Sequence, residues 1–204
     1  MDKYLSHDEL VSKLSAQEIE LYLRKGVSVR PNDVLQKVVT RLVPEVKVIV
    51  EIGTWMGVST SILASCSNVE HVYTFDINPF PQDLPKKLGL DHKITYACLP
   101  SSEAIYEVIK GLKPDFAYID GSHKIPDETK DFMFMKEHCD RLIMDDTDDK
   151  DVFGIFEPFG AQRISFRFAV WMKNGDYSIV NEIQKDLIWD EPKGKMNFEH
   201  LEGK

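Results

Sequence analysis

Three groups of residues in this chain have types and spacings suited to chemistry. The first is Glu51-Ile52-Gly53-Thr54-Trp55-Met56-Gly57-Val58-Ser59. It follows the β-branched run Val46-Lys47-Val48-Ile49-Val50 and leads into Val58 to Ala64, which has helical texture. A strand ending in an acid, then Gly-x-x-x-Gly, then a helix, suits a small charged ligand. The glycines let the backbone approach closely, and the helix aims its N-terminal amides at an anion. The spacing is not the Gly-x-Gly-x-x-Gly of dinucleotide sites. Alone, it also describes an ordinary tight turn. The second group is Asp76, which ends the run His71 to Asp76, 25 residues after Glu51. An acid there is placed to accept hydrogen bonds from two ribose hydroxyls. Before Asn78-Pro79 it is equally a turn residue. The two features in register are far more specific than either alone.

The third group is acidic. Asp120 ends Phe116 to Asp120, and Asp145-Asp146 ends Arg141 to Asp145. Parallel strands deliver their C-terminal ends to one edge of a sheet. Three carboxylates brought together there require protons or a cation, and a hard divalent ion with oxygen ligands answers the need. The competing reading is a solvated acidic loop, since residues 145 to 151 run Asp-Asp-Thr-Asp-Asp-Lys-Asp. His123, three residues past Asp120, has the intrinsic pKa to accept a hydroxyl proton near neutrality. A plain loop hydrogen bond is its alternative role, and Lys124 is the neighbouring candidate base. The other histidines have no partner at metal or triad spacing. No nucleophile elbow or phosphate loop occurs.

These residues need a scaffold, and the chain supplies one. Strand-like runs at 46–51, 71–76, 93–97, 116–120 and 141–145 alternate with helical stretches at 58–64, 101–112 and 127–138. That alternation predicts a parallel sheet with helices on both faces. Residues 7–44 read as helical, with a second helix over 34–42. Ile164 to Met172 and Tyr177 to Ile183 flank Lys173-Asn174-Gly175-Asp176, which predicts a closing antiparallel hairpin. The expected division is a helical extension over 1–44, a ligand-binding domain over 45–189 and a loose tail over 190–204.

The net charge of −9 argues against a nucleic-acid backbone or an anionic membrane as partner. Cys66, Cys98 and Cys139 are widely spaced and odd in number, as in buried thiols of a reducing compartment. No apolar stretch reaches the length of a membrane span and no signal peptide is evident. A cytoplasmic protein with a small-molecule partner, free to form a homo-oligomer, is the expectation.

Over about residues 46 to 183 the sequence resembles the class I S-adenosylmethionine-dependent methyltransferases. Within them it is similar to the catechol O-methyltransferase-like group and its macrolide- and sugar-O-methylating relatives. Their first loop reads acid-x-Gly-x-x-x-Gly-x-Ser, as here. The resemblance implies a doubly wound, Rossmann-like sheet of seven strands with the last antiparallel. It implies S-adenosylmethionine as cofactor, lined by Glu51, Gly53 and Gly57. Ser59 would take its carboxylate, Asp76 its ribose, and Ser101, two residues before Glu103, would lie beside its adenine. The glycine that often opens this third motif is replaced by Leu99-Pro100. Metal-dependent members bind magnesium through an Asp after the fourth strand and an acidic pair after the fifth, which maps onto Asp120, Asp145 and Asp146. Ile119 to His123 matches the Ile-Asp-Gly-x-His of many relatives. Asp120 thus falls in all three sets: beside the cofactor, on the metal, and in a catalytic pair with His123. The implied reaction is methyl transfer to a hydroxyl of a small molecule, assisted by magnesium. Transfer without metal to a nitrogen, carbon or protein acceptor, and a non-catalytic cofactor-binding domain, are the alternatives.

Overall fold

Every residue of Val48-Ile49-Val50-Glu51-Ile52 except Glu51 is β-branched, a composition that favours the extended chain. In a computed structural model, which describes residues 12–15, 17, 41, 46–80, 83–122, 124–147, 150–164 and 168–186, this run is strand β1 (Val48–Ile52). There follow α1 (Val58–Ser65), β2 (His71–Asp76), α2 (Asp83–Lys87), β3 (Ile94–Cys98), α3 (Ser102–Ile109) and β4 (Phe116–Ile119). The second half comprises α4 (Ile125–His138), β5 (Arg141–Met144), α5 (Lys150–Phe156), β6 (Gln162–Arg163), β7 (Ala169–Met172) and α6 (Ser178–Asp186).

The strands form one seven-stranded sheet in the order β3-β2-β1-β4-β5-β7-β6. The first five are parallel, and β7 runs antiparallel to both β5 and β6. The expected doubly wound sheet with an antiparallel finish is therefore present. Strand order reverses between β1 and β4, and crevices that take ligands open at such a switch point, outside the carboxyl ends of the strands. Glu51 through Ser59 and Asp120 through Ser122 lie at that edge.

Side chains alternate along each inner strand and feed two cores, one per face. Ile49, Phe116, Tyr118, Ile143, Val170 and Met172 pack with Ile62 and Leu63 of α1 and with Val180 and Ile183 of α6. Val50, Ile52, Ala117, Ile119, Leu142, Met144 and Trp171 pack with Ile105 and Ile109 of α3 and with Phe132 and Met135 of α4. Burial on both faces explains why these strands read as unbroken apolar runs.

The closing hairpin is not where the sequence placed it. Asn174-Gly175 does form a turn, with Gly175 at φ 66°, but Ser178–Asp186 is a helix, not a strand. Val180 and Ile183, three apart, put one apolar face onto the core, and Asp176 Oδ1 accepts from the Ser178 N–H at 3.0 Å as an N-terminal cap. The antiparallel pair is made instead by β6 and β7, upstream of that turn. The expected helical extension over 1–44, with its second helix over 34–42, lies outside the described residues apart from 12–15, 17 and 41. The tail over 190–204 lies wholly outside them.

Candidate active site

Gly53 is the pivot of the site. It leaves β1 at φ 98°, and its N–H donates to the Phe75 carbonyl at 2.8 Å. A β-carbon at this position would stand 1.8 Å from the Asp120 carbonyl oxygen and 2.9 Å from the Gly121 α-carbon. No side chain other than glycine's hydrogen fits between the two loops. Gly57, at φ 75°, turns the chain into α1, whose amino end faces the same crevice.

Glu51 is fully buried. Its two oxygens accept from the Ser59 and Thr60 hydroxyls, each at 2.5 Å. Burial pushes its carboxyl up to about 7, against the lowering effect of those hydroxyls. The Ser59 hydroxyl, expected at the cofactor carboxylate, is thus turned inward onto Glu51. Beside them the Thr54 and Thr74 hydroxyls meet at 2.6 Å.

Asp76 is also buried, and it shapes the loop. Its Oδ2 accepts from the backbone N–H groups of Thr54 (3.1 Å) and Trp55 (2.9 Å), and its Oδ1 from that of Asn78 (2.8 Å). Trp55 is held at φ 45°, unusual for a bulky residue. Its ring lies 4.4 Å from that of Phe80, centroid to centroid, on the exposed rim of the crevice. Ser101 caps α3: its hydroxyl accepts from the Ala104 N–H at 3.3 Å.

On the far side of the switch point, the Asp120 N–H donates to the Ile52 carbonyl at 2.9 Å and the Asp145 N–H to the Ile119 carbonyl at 3.0 Å. These bonds extend the ladder and set Asp120 beside Asp145. The Tyr118 hydroxyl reaches both carboxylates, 2.6 Å to Asp145 Oδ2 and 3.2 Å to Asp120 Oδ2. The other Asp145 oxygen accepts from the Asp146 N–H at 2.7 Å, and Asp146 adopts φ 52°. Among the described residues, no three His, Cys, Asp or Glu side chains are grouped so as to hold a metal ion. His123 lies outside the described residues.

Nothing in the sequence singles out Tyr118, because an aromatic residue inside a strand reads as core. A second unforeseen group underlies the Asp120–Ser122 loop. Asp131 of α4 accepts from the Tyr106 hydroxyl at 2.5 Å, its Oδ2 lies 3.1 Å from where a β-carbon on Gly121 would stand, and burial pushes its carboxyl up to about 6.

A sequence model of a methyltransferase-domain family matches residues 50–146, which run from within β1 to just past the end of β5 and contain every group just described. The chain carries a class I, S-adenosylmethionine-dependent methyltransferase domain. No curated protein matches it in sequence. Among solved structures, this methyltransferase is similar in fold to an O-methyltransferase from Bacillus cereus in complex with S-adenosylhomocysteine. The TM-score is 0.60 and the identity 16%, over 80% of this chain and 90% of that one. It is also similar to TomG of Streptomyces achromogenes, an O-methyltransferase involved in tomaymycin synthesis, in complex with S-adenosylmethionine. There the TM-score is 0.57 and the identity 17%, over 79% and 87% of the two chains. Spermidine synthase of Thermotoga maritima shares the fold at a TM-score of 0.54 and 13% identity, over 72% of this chain and 61% of that one. At such identities the likeness is one of fold, and spermidine synthase shows that the fold alone does not name a reaction.

Proposed function

We propose that this methyltransferase acts on a hydroxyl group of a small molecule. The observation that carries the reading is convergence. The Gly53 loop, Asp76 and Asp120 meet at one switch point, so a donor on the first loop would sit against an acceptor beside Asp120. Solved O-methyltransferases of similar fold support it.

The residues present fit the cofactor. Gly57, at φ 75°, turns the chain into α1, whose amino end suits the cofactor carboxylate, and Asp76 suits the ribose. Oδ1 of Asp76 accepts from Asn78 at 2.8 Å, and each carboxylate oxygen can accept more than one hydrogen bond. With Ser59 turned to Glu51, the α1 amides rather than that hydroxyl are proposed to meet the carboxylate. Ser101, as cap of α3, orients the loop beside the adenine. When bound, the cofactor supplies an electrophilic methyl group on its sulfonium. The chain's own part is to align the acceptor oxygen with that methyl and to take its proton. Alignment provides much of the acceleration. Asp120 is proposed to hold the acceptor hydroxyl, and His123, three residues on, to accept the proton.

Magnesium at Asp120, Asp145 and Asp146 does not fit the side chains as they stand. The facing oxygens of Asp120 and Asp145 converge on the Tyr118 hydroxyl, and the remaining Asp145 oxygen holds the Asp146 N–H. No step here is routed through an ion.

Calorimetric titration with S-adenosylhomocysteine tests the reading. Binding should be micromolar, about −8 kcal/mol, and Asp76→Ala should weaken it by about 1.5–3 kcal/mol, the range for a hydrogen bond to a charged group. A wild-type chain that takes up no S-adenosylhomocysteine would sink the proposal. Methyl transfer found only to nitrogen or carbon acceptors would replace the hydroxyl reading.

A further inference from the structure

The carboxylates that a cation would join are joined instead by a phenol. We infer that Tyr118 is a positioning residue whose hydroxyl stands in for a divalent ion between Asp120 and Asp145. This rests on the methyltransferase reading above.

Tyr118 lies two residues before Asp120 on β4, so both side chains leave the same face of the strand. It pairs across to Ile143 of β5, which puts Asp145 two residues beyond that partner and level with Asp120. The ring is anchored in the core, 2% exposed, with Phe168 at 6.5 Å between centroids. The hydroxyl is therefore fixed at the sheet edge by packing. It reaches Asp145 Oδ2 at 2.6 Å and Asp120 Oδ2 at 3.2 Å. A hydroxyl has one hydrogen, shared here between the two carboxylates with the shorter contact to Asp145. Asp145 then has both oxygens engaged, one by Tyr118 and one by the Asp146 N–H.

Magnesium demands oxygens about 2.0–2.1 Å away in octahedral geometry. Here the phenolic oxygen lies within hydrogen-bond reach of both carboxylates, at the point where an ion bridging them would sit. What an ion would do by charge, namely fixing the direction of the Asp120 carboxylate, the hydroxyl does by hydrogen bonding. Asp120 is held as a neighbour of the acceptor without a metal bond to compete for its oxygens.

The test is a manganese titration of the full chain saturated with S-adenosylhomocysteine, following the free-ion signal by electron paramagnetic resonance. The wild type should show no saturable site tighter than about 1 mM. Tyr118→Phe removes the hydroxyl but keeps the ring, leaving two carboxylates facing each other. It should gain one manganese site per chain, at least about tenfold tighter than anything in the wild type, and Asp145→Asn in that background should remove the gain. One tight manganese per wild-type chain, lost on Asp120→Asn, overturns the inference, as does a folded Tyr118→Phe chain with no gain. Should that variant not fold, the wild-type titration decides. A chain that fails to bind S-adenosylhomocysteine at all contradicts the methyltransferase reading instead, so the two failures are distinguishable.

Discussion

Replacing Glu51 by Gln should make the fold less sensitive to pH. Glu51 is fully buried and its carboxyl is pushed from 4.5 up to about 7, chiefly by burial. Below pH 4.5 the group is protonated in both folded and unfolded chains and contributes nothing to pH dependence. As pH rises from there towards 7, the unfolded chain ionises while the folded chain keeps its proton. The folded state then binds more protons, so stability falls as pH rises. Above pH 7 the penalty is complete. A shift of about 2.5 units corresponds to about 3 kcal/mol, of which most, about 2.5 kcal/mol, develops between pH 5 and pH 8. Gln is uncharged throughout and of similar size. Its carbonyl can accept from Ser59 or Thr60, while the other hydroxyl rotates to accept from its amide. The assay is urea unfolding of both proteins at pH 5, 6, 7 and 8. Plotting the difference between them cancels every other titrating group, Asp131 included. The variant should gain on the wild type by about 2–3 kcal/mol over that span. A difference that stays flat, or that moves the other way, would refute the argument that Glu51 resists ionisation in the fold.

Gly53→Ala should be severely destabilising or should not fold, because its β-carbon would overlap the Asp120 carbonyl oxygen at 1.8 Å; a melting temperature within a few degrees of wild type would show that the two loops separate freely. Gly57→Val should abolish S-adenosylhomocysteine binding and also cost about 1–2 kcal/mol, since φ 75° is a left-handed conformation, checked by calorimetry and urea unfolding together. Tyr106→Phe should cost about 1–3 kcal/mol at pH 7 by leaving the buried Asp131 carboxylate without its 2.5 Å donor. The loss should shrink at pH 5, where Asp131, pushed up to about 6, is protonated. An equal loss at both pH values would count against that assignment.

The five parallel strands were legible to within a residue or two because their apolar runs serve two cores, so every position carried signal. The last element was not. Tyr177 to Ile183 is rich in β-branched residues, and Asn174-Gly175 is a true turn, yet Val180 and Ile183 are spaced for a helix that covers the sheet. Local pattern could not tell whether the edge strand came before or after that turn. In the site, the positions of Glu51, Gly53, Asp76 and Asp120 followed from strand ends and glycine spacing. What each touches did not. Asp76 holds backbone N–H groups, which have no residue type to recognise. The inward turn of Ser59 depends on the depth of Glu51, and burial depth is a property of the assembled layers. Tyr118 was hidden for the opposite reason: its ring does belong to the core, and only its last atom belongs to the site.

The contact between Gly53 and the Asp120 carbonyl has a mechanical meaning. It keys the two halves of the sheet together through main chain alone, at the point where a donor on one half would face an acceptor on the other. The gap that a methyl group must cross is then gauged by backbone, not by any side chain that contacts the acceptor. Walls of an acceptor pocket can be remodelled, residue by residue, to admit a different acceptor while that gauge keeps its setting.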